Sequence, residues 1–210
     1  MSKEVIKFLK VREVKDPNRA HTTDAGIDFY VPKFTKKFIE DLKEKNKDLF
    51  FHKSTYANQG SIIYNINNPS QQIQLCDINN SPFKFDEEES KPYFCLMPQE
   101  RVLIPSGIHV KMPYESMALI ANNKSGVASK LGLIFGGSVI DESYEGEIHI
   151  NVINTSLSIV RIYEDMKIMQ FIETPIFTSP IEISEGDTLT FYTGSKSQRK
   201  EAGIGSTFKK

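Results

Sequence analysis

In the run Ile148-His149-Ile150-Asn151-Val152-Ile153-Asn154, apolar side chains recur at Ile148, Ile150 and Val152. A period of two sends alternate side chains to opposite faces, so this run reads as a β-strand with one face on a core. It is entered from Gly136-Gly137-Ser138-Val139-Ile140-Asp141-Glu142-Ser143-Tyr144-Glu145-Gly146-Glu147, a tight loop held between two glycine-containing bends. Asp141 can take a proton or orient a water, and Tyr144, three residues on, can present a flat apolar face. The same string also fits an ordinary polar hairpin.

The rest of the chain agrees with a β-rich fold. Val5-Ile6-Lys7-Phe8-Leu9-Lys10-Val11 reads as a first strand, broken by Asp16-Pro17-Asn18. From Tyr93 to Met112, short β-prone runs are punctuated by Pro and Gly about every ten residues, which points to an all-β barrel or sandwich. His109 sits in one of these runs and reads as a strand histidine facing solvent or a partner; no second histidine stands at metal-ligand spacing. One stretch departs from the pattern: Phe38, Ile39 and Leu42 share a face at helical spacing, which predicts a short amphipathic helix. Residues 57–80, dominated by Asn and Gln, read as surface hairpins or partly mobile connections, and the acidic run 86–89 as a solvated loop.

At 210 residues the chain fits one domain, or one domain with a large insertion. With 26 basic and 27 acidic residues, no global field favours nucleic acid, so any anion must be held by a local arrangement. Cys76 and Cys95 lie outside any CxxC spacing, which suits a reducing compartment and provides no zinc framework. No apolar run approaches the ~18 residues of a membrane span and no secretory pattern opens the chain, so a soluble, cytoplasmic protein without membrane contacts is expected.

Four further polar islands can carry chemistry. Asp28 follows Ala25-Gly26-Ile27 and precedes a β-prone run; alone, an Asp near a Gly is usually a turn residue. Lys124-Ser125-Gly126 offers a cation, a hydroxyl and successive backbone N–H groups to an anion, although it lacks the upstream glycine of a Walker loop. Gln170, between Met169 and Phe171, is an amide that needs partners if buried and otherwise points outward. The tail from Gly194 onward is basic and hydroxyl-rich. It reads either as a disordered end or as an arm in which Arg199 brings a planar fork to phosphate oxygens, with Ser206 and Thr207 adding hydrogen bonds.

Taken in order, these islands resemble the five motifs of the trimeric dUTPase family: Ala25-Gly26-Ile27-Asp28; Lys124-Ser125-Gly126-Val127-Ala128; Val139 through Gly146; Lys167 through Ile172; and Arg199 through Thr207. The resemblance covers about residues 1–33 and 93–208. It implies an all-β, distorted jelly-roll barrel, formed by residues 1–33 and 93–193. Residues 34–92 would be a mixed insertion containing a short helix, and 194–210 a flexible C-terminal arm. A homotrimer is implied, with sites shared between subunits. The implied reaction is magnesium-assisted hydrolysis of dUTP to dUMP and pyrophosphate by water attack on the α-phosphate. By position, Asp141 would activate the water, Tyr144 would pack on the deoxyribose, and Asp28 would hold magnesium through its waters. Lys124, Ser125, Gly126 and Gln170 would face the phosphates, Ser138 and Val139 would lie near the base, and Arg199, Ser206 and Thr207 would clamp the outer phosphates, with Gly205 also binding substrate and Ile204 as apolar cover.

Three positions depart from the family pattern. Lys124 stands where Arg is usual and gives a point charge without the bidentate fork. Ile204 stands for Phe, so aromatic stacking on the base is lost, and Ser138 stands for a common Gly. Uracil selectivity is where these changes bear. The alternatives are a pyrophosphatase for another or modified deoxynucleoside triphosphate, the related dCTP deaminase, or a nucleotide-gated module that binds a protein partner through residues 34–92. Against the deaminase stands Asn151, where that family is expected to carry its catalytic glutamate.

Overall fold

The computed structural model describes residues 5–47, 75, 92–186, 191, 192 and 194. The remainder of the expected insertion and arm, including Arg199, Ile204, Gly205, Ser206 and Thr207, lies outside the described residues. Residues Met1–Phe177 form one compact unit and Thr178–Lys210 another. In the second, the rings of Phe191 and Tyr192 meet edge to face at 4.9 Å, and Ile181 and Ile183 are exposed.

The first unit is a mostly β, jelly-roll-type fold. Among the described residues β2 (Gly26–Tyr30), β11 (Lys167–Pro175), β6 (Met117–Asn123) and β8 (Val139–Ile140) make a four-stranded sheet in that order. β4 (Arg101–Pro105), β9 (His149–Asn154) and β7 (Leu133–Phe135) make a second, while β1 (Lys7–Lys10) pairs with β5 (Ile108–Lys111) and β10 (Val160–Tyr163) with β3 (Tyr93–Leu96). The predicted alternation in β9 holds. Ile150, Val152 and Asn154 are buried, with His149, Asn151 and Ile153 on the other face. Buried Asn154 keeps its amide satisfied by donating to the carbonyls of Leu96 (3.0 Å) and Ser158 (2.8 Å).

The predicted helix is α1, Lys36–Asn46, and its first turn is capped by Thr35, whose side chain accepts from the Phe38 N–H. Phe38, Ile39 and Leu42 join Phe34, Phe94, Ile104 and Val152 in one core, and Phe34 stacks on Phe38 at 5.5 Å. Fully burying a side chain such as Phe38 or Leu42 contributes roughly 2 kcal/mol. Helix α1 is also registered on the sheet by a polar clasp: Asn46 Nδ2 donates to the Leu103 carbonyl at 2.9 Å, and the Leu103 N–H donates back to Asn46 Oδ1 at 2.8 Å. This first stretch of the expected insertion therefore closes one side of the β core. Lys124 leads directly into the second helix, α2 (Ser125–Leu131), which ends at Gly132 in the left-handed conformation (φ 67°).

Candidate active site

Three strands of the four-stranded sheet bring charges of both signs to one face. Asp28 on β2 is buried, and each of its carboxylate oxygens meets a lysine: Lys124, at the junction of β6 and α2, and Lys167 on β11, the latter at 2.7 Å. Burial alone would push the Asp28 carboxyl up, but hydrogen bonds and attraction from the two ammonium groups more than offset it and hold the carboxyl below its ordinary range. The same contact with Asp28 raises Lys167. Two cations around one anion leave a net charge of +1, which an incoming polyanion can use. Gln170 is the register partner of Asp28 and so shares its face; its Nε2 donates to the Asn123 carbonyl at 3.1 Å.

Lys167 reaches that face because β11 is irregular. In a regular strand, residues 167 and 170 point to opposite sides. A bulge between Lys167 and Met169 puts Lys167 opposite Tyr30 while Gln170 stays opposite Asp28, so both side chains turn the same way. The lysine lies inside one of the recognised islands, yet strict alternation assigns it to the wrong face. Directly after Lys124, Ser125 and Gly126 are exposed at the start of α2, where first-turn N–H groups lack intrahelical acceptors.

Asp141 and Tyr144 form a separate group just after β8. Both are exposed, and the Tyr144 N–H donates to the Asp141 carbonyl at 3.1 Å, closing a turn. The Tyr144 hydroxyl donates to the Glu147 carbonyl at 2.9 Å. Its ring folds over Gly146 so closely that a Cβ there would come within 2.5 Å of the hydroxyl oxygen. His109 Nδ1 donates to the Glu145 carbonyl at 2.8 Å, so this partly exposed strand histidine also pins the loop from β5. Ser138 and Val139 lie exposed at the near edge of the loop.

The two groups do not meet within one chain. β8 pairs with β6 at Leu119↔Ile140 and Ile120↔Val139. Continuing that register sets Asp141 beside Ala118, six residues or roughly 20 Å along the strand from Lys124.

Among the described residues there is no group of three or more His, Cys, Asp or Glu able to cage a metal. The single carboxylate of Asp28 is buried with a lysine on each oxygen, so it would be open to a hydrated magnesium ion only once an incoming polyanion draws a lysine away.

A dUTPase family model matches residues 89–208. A deoxyuridine 5'-triphosphate nucleotidohydrolase of Clostridium novyi (strain NT) is 38% identical over 114 residues, covering 53% of this chain and 75% of that protein. The corresponding protein of Hydrogenobaculum sp. (strain Y04AAS1) is 35% identical over 114 residues, with 53% and 74% covered. Among solved structures, the dUTPase of Staphylococcus bacteriophage 80alpha with dUPNHPP aligns with a TM-score of 0.60 at 19% identity, over 98% of this chain and 99% of that one. A dUTPase mutant from phage phi11 of S. aureus, described as revealing the coordination of a structural Mg(II) ion, aligns at 0.53 and 18% identity, over 88% and 99%. The structural likenesses speak to the fold alone.

Proposed function

The chain belongs to the dUTPase family, and on that premise we propose how its residues divide the hydrolysis of dUTP to dUMP and pyrophosphate. The observation that supports the division is the convergence of Asp28, Lys124, Lys167 and Gln170 on one face, apart from the exposed pair Asp141 and Tyr144.

Lys124, Lys167, Gln170 and the exposed start of α2 at Ser125 and Gly126 receive the phosphates. Their net positive charge lowers the cost of bringing a nucleophile to a polyanion. Asp28, once the phosphates draw its lysines away, would be the residue to hold magnesium through water, and the ion would supply further charge neutralisation. Asp141 orients a water and takes its proton as the oxygen attacks the α-phosphorus. The bond from that phosphorus to the bridging oxygen breaks, and pyrophosphate leaves. Tyr144, braced over Gly146, packs on the deoxyribose and leaves no room for a 2′-hydroxyl. Ser138 and Val139 lie near the base. Arg199, Gly205, Ser206 and Thr207, outside the described residues, complete the family pattern at the outer phosphates, while Ile204 gives apolar cover where that pattern has Phe.

Because the phosphate group and the Asp141 group lie far apart along β6, one chain supplies two half-sites, and a homotrimer that joins the halves of neighbouring copies makes the site whole. Residues 34–92 are the segment through which a protein partner would bind.

The test is a panel of dUTP, dCTP, dTTP, dATP and UTP with product analysis, run on the wild type and on Asp141→Asn. We expect magnesium-dependent formation of dUMP and pyrophosphate from dUTP, lost in Asp141→Asn while nucleotide binding persists. Conversion of dCTP to dUTP, or preferred turnover of a non-uracil nucleotide, would overturn the substrate assignment.

A further inference from the structure

The loop that carries Asp141 and Tyr144 is tied to helix α1 by one arginine. Arg12, just after β1, donates to both carboxylate oxygens of Glu147, Nε to Oε1 at 2.7 Å and Nη2 to Oε2 at 2.9 Å. Its remaining Nη1 donates to Asp41 Oδ2 on α1 at 2.6 Å. All three side chains are partly buried, and the planar fork is held on both sides. The neighbouring turn is built to admit it. The Gly107 N–H donates to Glu147 Oε1 at 2.7 Å, and a Cβ on Gly107 would come within 3.0 Å of the Arg12 Cβ. Gly107 also has φ +77°, which a side chain would strain.

Glu147 is where the tie meets the catalytic loop. Its carbonyl accepts from the Tyr144 hydroxyl at 2.9 Å and from His149 Nδ1 at 2.8 Å, while its carboxylate is clamped by Arg12. We propose that Arg12 is a positioning residue for the reaction: through Glu147 it fixes the carbonyl that orients the Tyr144 ring, and through Asp41 it makes that orientation depend on the seating of α1. The proposal rests on the sugar-packing role given to Tyr144. It adds that a helix of the expected insertion can set the selectivity of the site without touching the nucleotide.

Arg12→Lys keeps the charge and loses the fork, so it is the informative variant. Two measurements separate this proposal from the function it rests on. Hydrogen exchange of peptides covering residues 141–149 reads the tie directly, whether or not dUTP is turned over. Faster exchange there is expected in both Arg12→Lys and Asp41→Asn, with melting temperatures close to wild type. Kinetics then read the consequence. Arg12→Lys should lose about tenfold in kcat/KM for dUTP, with a smaller preference for dUTP over UTP, and should be non-additive with Tyr144→Phe. Unchanged exchange in 141–149, or equal losses on dUTP and UTP that add to those of Tyr144→Phe, would overturn the proposal. If the wild type failed to hydrolyse dUTP, the functional reading would fall while the exchange result still decided the tie.

Discussion

Asp141→Asn preserves the shape of the turn closed by the Tyr144 N–H and removes only the proton acceptor. Turnover of dUTP should fall by about 10²–10⁴-fold, the range for loss of a general base, with little change in nucleotide affinity by calorimetry. Asp28→Asn acts differently, because it leaves Lys124 and Lys167 facing each other without their shared anion. About a hundredfold loss of kcat is expected, together with a higher magnesium requirement in a metal titration. A third residue links stability to pH. His149 donates its Nδ1–H to the Glu147 carbonyl, and its buried Nε2 has no hydrogen-bond partner among the described residues. Burial therefore holds the imidazole below its ordinary 6.5, opposed by the Glu147 carbonyl and carboxylate. The unfolded chain then binds the extra proton first on acidification. The contribution is complete above 6.5 and shrinks as pH drops below it towards the folded value. Melting temperature should decline between pH 7 and pH 5, and less steeply in His149→Gln.

At the scale of elements, the loop after β8 works as a rigid platform because Gly146 lets the Tyr144 ring lie against the backbone. Gly146→Ala would drive a methyl into that ring and turn it outwards. About a tenfold fall in kcat/KM for dUTP with a gain in relative UTP turnover is expected, at nearly constant thermal stability, since the loop is exposed. The elements themselves were readable to unequal degrees. Alternation in Ile148, Ile150 and Val152 gave β9, and the spacing of Phe38, Ile39 and Leu42 gave α1, because each pattern reports a local period facing a core. First-strand residues 5–11 shorten to β1 at Lys7–Lys10. The bulge in β11 was invisible, since an extra residue leaves no mark on composition, and so Lys167 was not picked out. Arg12 and Glu147 lie 135 residues apart, a pairing that only the folded chain reveals. In isolation Asp28 reads as a turn residue; its place beside two lysines comes from sheet register.

For the whole molecule, the spacing along β6 makes a stoichiometric claim. If the Asp141 half-site of one copy serves the Asp28 and Lys124 half-site of another, two inactive variants can repair each other. In trimers assembled at random from equal amounts of Asp141→Asn and Asp28→Asn chains, a site works when the copy giving its loop carries intact Asp141 and the copy giving its phosphate face carries intact Asp28. Each condition holds half the time, so about a quarter of wild-type activity should appear after co-expression or joint refolding. Were both halves drawn from one chain, every copy would carry a defective site and the mixture would stay as inactive as its components. Mixing the folded proteins without dissociation should restore nothing, which separates exchange of subunits from recovery of either variant alone.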